Sequence, residues 1–155
     1  MENLKIIFAK SKDIEKIQDK LLYDTELREK LNIRDNGQTF VRNDTWNATF
    51  VAKVGSNIMG MIKVSFYASE SSACIDGIFV LESYRHLGIA TKLLTFAENY
   101  SKDIWPTNVF HALTIQNPPM ETLFKKMGYK KMGTYKKCVY RNNKYLSQTM
   151  WRKNV

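Results

Sequence analysis

Apolar and polar residues are patterned along this chain in short blocks, each of which predicts one element. Leu4 to Ala9 is a compact apolar run and reads as a first strand. Ser11 is a plausible N-cap with Asp13 in the first turn, and Ile14, Ile17, Leu21 and Leu22 then recur at helical spacing. Thr25 to Leu31 reads as a second short helix, and the polar, Gly37-containing stretch Asn32 to Asp44 as a loop. Thr49 to Val54 and Ile58 to Phe66 are strand-like and joined by Gly55-Ser56-Asn57, which predicts a hairpin. After a polar turn at Ser69 to Ser72, Ala73 to Leu81 forms a central strand. Gly88 to about Lys102 follows as an amphipathic helix, with Leu93, Leu94, Phe96, Ala97 and Tyr100 on its buried side. Val109 to Gln116 is a further strand. Pro118 and Pro119 open a helix running to Met127, and Gly128 sits where a C-terminal cap glycine belongs. Lys131 to Arg141 and Lys144 to Arg152 are two last strands around the turn pair Asn142-Asn143.

Strand, helices, three strands, helix, strand, helix, hairpin is the order of a layered α/β (α+β) fold with a mixed sheet. The 155 residues form one domain on this reading, residues 1–155. A hydrophobic content of 44% and a charged content of 25% are those of a soluble globular protein. No apolar run reaches the ~18 residues of a membrane span, and the N-terminal residues lack a small-residue cleavage site. Cys74 and Cys138 are the only cysteines, which suits a reducing cytoplasm. Two His and two Cys, scattered, make no metal site. The net charge of +9 has two readings: an anionic partner, or a Lys-rich composition on solvated faces, favoured because the chain is also rich in Asn.

The chemistry concentrates between Ile75 and Leu94. A strand ends near Val80, a turn carries Arg85-x-x-Gly88-x-Ala90, and a helix begins. Such a turn aims backbone N–H groups at an anion, and Gly88 and Ala90 let a phosphate approach the backbone closely. On these residues the chain resembles the GNAT superfamily of acyl-CoA-dependent N-acetyltransferases, whose cofactor motif is Arg/Gln-x-x-Gly-x-Gly/Ala. A second signature of that family is similar here: a strand ending in Asn, a short helix, then Gly-Phe or Gly-Tyr. It is matched by Val109 to Asn117, Pro118 to Met127 and Gly128-Tyr129. The resemblance covers roughly residues 48 to 152 and implies a mixed, mostly antiparallel sheet of about seven strands with helices on both faces. It further implies acetyl-CoA as co-substrate and an amine of a small molecule or protein as acceptor, attacking directly in a ternary complex.

The resemblance assigns the cofactor to Arg85, His86, Leu87, Gly88, Ile89, Ala90 and Thr91 for the pyrophosphate, and to the backbone of Ile78, Phe79 and Val80 for pantetheine. Asn117 and Phe124 complete that set. Arg85 either adds charge or closes the turn; Ile78 to Val80 are otherwise core; Asn117 is otherwise a turn former. His86 stands where the family often has Gly, so its imidazole must point outward. Asp76, on an otherwise apolar strand, is the candidate base for the amine, against a reading as a solvated or salt-bridged edge residue. The family often has Tyr seven positions after the Asn, as a proton donor near the sulfur; here that position is Phe124, which cannot donate. Tyr129, Tyr135, a water or unassisted departure of the thiolate are the substitutes, and Tyr129 is taken as the catalytic candidate. His111 reads as an ordinary histidine.

The expected partners are acetyl-CoA and an amine acceptor, with no membrane, nucleic acid disfavoured and a homodimer left open. Two other functions compete: a non-catalytic acyl-CoA-binding or regulatory protein of the same fold, and a basic nucleic-acid-binding module suggested by Lys, Tyr and Trp interleaved from Tyr129 to Lys153.

Overall fold

The computed structural model describes residues 3–13, 43–141 and 143–155. The first expected helix is seen only at its start, Ser11 to Asp13; the rest of it, the helix expected at Thr25 to Leu31, most of the Asn32 to Asp44 loop and Asn142 lie outside the described residues. The elements are β1 (Lys5–Phe8), β2 (Asn47–Val54), β3 (Asn57–Tyr67), β4 (Ser72–Val80), α1 (Ile89–Ile104), β5 (Val109–Ile115), α2 (Pro118–Lys126), β6 (Lys130–Arg141) and β7 (Lys144–Asn154). Short 3-10 turns at Ala68–Glu70 and Glu82–Tyr84 flank β4. The strands form one seven-stranded sheet in the order β1-β2-β3-β4-β5-β7-β6.

The chain divides into two compact units that interleave in sequence: Met1–Ser65 with Gly77–Ala97, and Phe66–Asp76 with Glu98–Val155. In the first, β1, β2 and β3 pair antiparallel through Phe8↔Phe50 and Val51↔Met61. The turn between β2 and β3 has Gly55 at φ 57, a left-handed conformation that glycine adopts without a Cβ clash. Phe50 is buried, with the Phe8 ring 4.8 Å and the Phe96 ring 5.0 Å away. Phe96 is therefore a packing residue although 36% exposed. Val51, Ile58, Met61, Phe79 and Leu81 form a core cluster that Ile7 and Tyr84 flank.

In the second unit, β5 pairs antiparallel with β7 from Val109↔Asn154 to Ile115↔Gln148, and β7 with β6. Phe66 stacks on Trp105 with centroids 5.4 Å apart, and Tyr100 meets Trp105 edge-on. The fully buried Trp151 donates its Nε1–H to Thr114 Oγ1 at 2.9 Å, giving its one polar atom a partner. α2 carries terminators at both ends. Asn117 caps it by accepting the Met120 N–H at 3.3 Å, and Pro118 and Pro119 occupy the first turn, where no N–H is needed. Lys125 and Lys126 complement the C-terminal dipole, and Gly128 at φ 87 leaves the helix by donating to the Lys125 carbonyl.

β4 and β5 are parallel, with a register from Ser72↔Val109 to Ile75↔Ala112. Both strands outrun this ladder, β4 to Val80 and β5 to Ile115.

Candidate active site

The turn from Arg85 to Thr91, the phosphate-site candidate, belongs to the first unit. Beyond Leu81 the chain makes a 3-10 turn in which Tyr84 N–H donates to the Leu81 carbonyl at 2.9 Å and Arg85 N–H to the Glu82 carbonyl at 3.1 Å. His86 at φ 63 and Gly88 at φ 75 then take left-handed conformations on either side of Leu87. The conformation at His86 explains why glycine suits that position, and the imidazole is exposed. α1 starts at Ile89, which is 1% exposed and anchors the helix end. The first internal bond at this end runs from Lys92 N–H to the Gly88 carbonyl at 3.1 Å. Helix geometry leaves the N–H groups of Ile89, Ala90 and Thr91 without intrahelical acceptors. A Cβ placed on Gly88 would meet nothing within 4 Å, so no protein atom crowds that residue. The residues present fit a phosphate group. Arg85 Nε donates to the Val80 carbonyl at 3.3 Å, so the guanidinium closes the turn and remains exposed beside it.

Ile78, Phe79 and Val80 lead into this turn. The Phe79 side chain is core, while those of Ile78 and Val80 alternate with it and are half-buried. β3 lies against this segment: Leu81 N–H donates to the Met59 carbonyl at 2.9 Å, and Gly60 faces the Phe79 carbonyl.

The acid–base candidates belong to the second unit. Ala73 and Ile75 of β4 and Phe110 and Ala112 of β5 are buried, so strand alternation puts Cys74, Asp76 and His111 on the opposite face. Asp76 is exposed, and Cys74 stands opposite His111 in the register. Phe66 turns toward Trp105, which places Tyr67 on the face away from it. The Tyr67 phenol is pushed above its ordinary range by burial first, then by the charges of Asp76, Cys74 and Glu70. Tyr67 was missed in the sequence, although alternation from an apolar Phe66 was the signal that could have found it. Among the described residues no three His, Cys, Asp or Glu side chains converge as metal ligands would.

Tyr129 has a different place from the one expected of a proton donor. It is 3% exposed, and its hydroxyl donates to Glu98 Oε1 at 2.9 Å. Lys153 Nζ donates to Glu98 Oε2 at 2.6 Å and sits 5.6 Å from the centre of the Tyr129 ring. Burial, then the Glu98 charge and hydrogen bond, push the Tyr129 phenol far above its ordinary range. This geometry argues against Tyr129 as the acid: its proton is held by a buried carboxylate. Phe124 is 2% exposed and packs between the Tyr129 ring at 4.9 Å and the Trp151 ring at 6.2 Å. Its side chain is spent on an aromatic core, which argues against a direct cofactor contact. Asn117 is the N-cap of α2 through its Oδ1, a role that neither of its two sequence readings named.

Comparison with known proteins bears on the fold and the family. The acetyltransferase (GNAT) family profile matches residues 12–129. An N-alpha-acetyltransferase of Sulfurisphaera tokodaii is 30% identical over 96 residues, which are 55% of this chain and 58% of that protein. The match thus spans little more than half of the relative's length. Among solved structures, a ribosomal-protein α-N-acetyltransferase in complex with coenzyme A superposes with a TM-score of 0.84 at 13% identity, over 100% of this chain and 96% of the other. Arabidopsis thaliana NAA60 in complex with a bisubstrate analogue gives 0.80 at 18% identity, covering 97% of each chain. A spermidine/spermine N-acetyltransferase from Vibrio cholerae gives 0.73 at 18% identity, over 99% and 93%. At such identities the superpositions speak for the fold alone; the family profile covers most of the chain, and the chain belongs to the acetyltransferase (GNAT) family.

Proposed function

We propose that this protein is an N-acetyltransferase that moves an acetyl group from acetyl-CoA to a primary amine, with the α-amine of a protein as the favoured acceptor. The observation that carries the reading is the turn from Arg85 to Thr91: two left-handed residues, an open Gly88 and the bare N-terminal donors of α1 suit a pyrophosphate. The turn follows directly on Ile78 to Val80, whose backbone is the proposed partner of pantetheine, in the manner of an added strand. The α-amine preference draws support from the Sulfurisphaera tokodaii relative, named as an N-alpha-acetyltransferase.

Transfer needs a neutral amine, donors for the oxyanion and a route for the thiolate's proton. On this reading Asp76 takes up the proton of the acceptor amine directly or through water. The backbone N–H groups of Ile78 to Val80 serve the carbonyl oxygen. A water or Tyr135, 56% exposed, supplies the proton that Phe124 and Tyr129 are not placed to give.

A second reading, an acyl-CoA-binding protein without turnover, has one observation in its favour: Phe124 and Tyr129 are both committed to the interior, so the family's usual phenol is lacking. One assay separates the two. Free thiol is followed on mixing the protein and acetyl-CoA with peptides bearing different N-terminal residues and with small polyamines. Acceptor-dependent thiol release, with acetyl found on the amine by mass spectrometry, supports the enzyme; acetyl-CoA binding with no release across the panel supports the second reading.

A further inference from the structure

We propose that the β6–β7 hairpin is a docking surface for single-stranded nucleic acid, a property separate from acetyl transfer. The charge of the chain is unevenly placed. Of its 24 Lys and Arg, ten lie between Thr122 and Val155, a stretch that contains none of its 15 Asp and Glu. The preceding 121 residues carry 14 cations and 15 anions, so the whole positive excess resides in α2 and the last hairpin. Burial does not consume it. Lys153 is held by Glu98 and Lys125 lies over the Trp151 ring, but Lys130, Lys131, Lys136, Lys137, Lys144 and Arg152 are exposed. A solvated face of an ordinary protein mixes both signs; a stretch free of acids repels cationic partners and attracts polyanions.

Aromatic side chains select among polyanions. Tyr140 and Tyr145 are direct partners in the register near the hairpin end, with ring centroids 5.0 Å apart. They are 61% and 65% exposed, so the pair is not part of a core. The Tyr140 hydroxyl donates to Asn143 Oδ1 at 3.3 Å, which fixes the ring against the turn. Beside them the register shifts between Tyr135 and Val139, and Lys137 takes φ 51 with its N–H on Ser147 Oγ at 3.2 Å. Lys136 and Lys137 are both exposed at this irregularity. β6 is also the edge strand of the sheet. Held, exposed phenol rings next to cations are what a chain of bases and phosphates uses, the rings by stacking and the lysines by charge. An acidic polypeptide would use the lysines and leave the rings idle.

The test is fluorescence anisotropy of the full-length protein with a labelled oligo-U RNA of about 12 nucleotides, and the matching oligo-dT, across about 50 to 200 mM salt. Both oligomers should bind, with log affinity falling linearly in log salt by about 0.7 per phosphate contacted. The double variant Tyr140→Ala/Tyr145→Ala should weaken binding about tenfold at every salt concentration with the slope unchanged. Lys136→Gln/Lys137→Gln should flatten the slope by about 1.4. Melting curves check that both variants fold. The proposal is overturned by absence of binding at the lowest salt, by wild-type affinity in a folded tyrosine variant, or by polyglutamate binding as tightly as RNA.

Discussion

Gly60 of β3 faces the carbonyl oxygen of Phe79 so closely that a Cβ in its place would stand 2.5 Å from it. The Val80 Cα and the Leu93 Cδ1 would each be 3.3 Å away. The obstacle at Phe79 is backbone, which cannot turn aside as a flexible side chain can. Gly60→Ala should therefore push β4 away just before the turn from Arg85 to Thr91. Overpacking of this kind costs about 1–3 kcal/mol. A lower denaturation midpoint together with several-fold weaker acetyl-CoA binding is expected; an unchanged midpoint would mean that β4 moves freely.

Tyr129→Phe separates structure from catalysis. Losing a buried hydrogen bond to a charged acceptor should cost about 1.5–3 kcal/mol in urea denaturation at neutral pH. Turnover of the folded variant should stay near wild type, since the phenol proton is committed to Glu98. The raised phenol pKa also has a sign. Below the ordinary tyrosine value near 10 the folded and unfolded chains both keep the proton, and the contribution is whole. As pH rises past that value the unfolded chain ionises first, so stability falls until the folded value is passed. Tyr129→Phe should show a shallower alkaline loss of stability than wild type. A hundredfold loss of turnover with stability intact would restore Tyr129 as the acid.

Phe124→Tyr adds a hydroxyl between the Tyr129 and Trp151 rings. An uncompensated buried hydroxyl costs about 1–3 kcal/mol in proteins. The variant should melt lower and turn over no faster. A rate gain above about tenfold, well within the range of general-acid effects, would show that the phenol reaches the reacting sulfur and that the wild type is limited by proton donation.

The strands and helices bearing the site were legible because their signals are local. Proline at the start of α2, Gly128 after it and the continuous apolar runs of β2 and β3 each act within a few residues. The turn that opens α1 was legible for the same reason: Gly88 marks its own left-handed backbone just before the helix. Roles that depend on distant partners were not. Glu98 looks like a polar residue on an amphipathic helix, yet it is 4% exposed because Tyr129 and Lys153, far along the chain, converge on it. Phe124 and Tyr129 sit at motif positions, but each ring is placed by a distant partner, Trp151 for Phe124 and Glu98 for Tyr129. Tyr67 escaped notice because its neighbours Asp76 and Cys74 lie across a strand pairing.

Asp76→Asn keeps the shape of an exposed side chain and removes its charge. If Asp76 receives the amine proton, the variant should lower kcat/KM at neutral pH by about 10²–10⁴-fold and move the pH–rate profile, with acetyl-CoA affinity near wild type. The loss should shrink at high pH, where the amine is neutral without help. Normal turnover across the pH range would place the base elsewhere on that face.

Calorimetric titration of acetyl-CoA into the wild-type protein and into Gly88→Asp tests the proposed cofactor site. At φ 75 an aspartate bears left-handed strain of about 1–2 kcal/mol, a modest melting change that Gly88→Ala should share. The space around the Cβ is open, so no clash adds to it. The carboxylate, however, would compete with the proposed pyrophosphate for the N-terminal donors of α1. Saturable binding by wild type, weaker binding by Gly88→Ala and none by a folded Gly88→Asp is the predicted result. Equal affinity in wild type and Gly88→Asp would contradict the assignment of this turn to the cofactor, and with it the proposed activity.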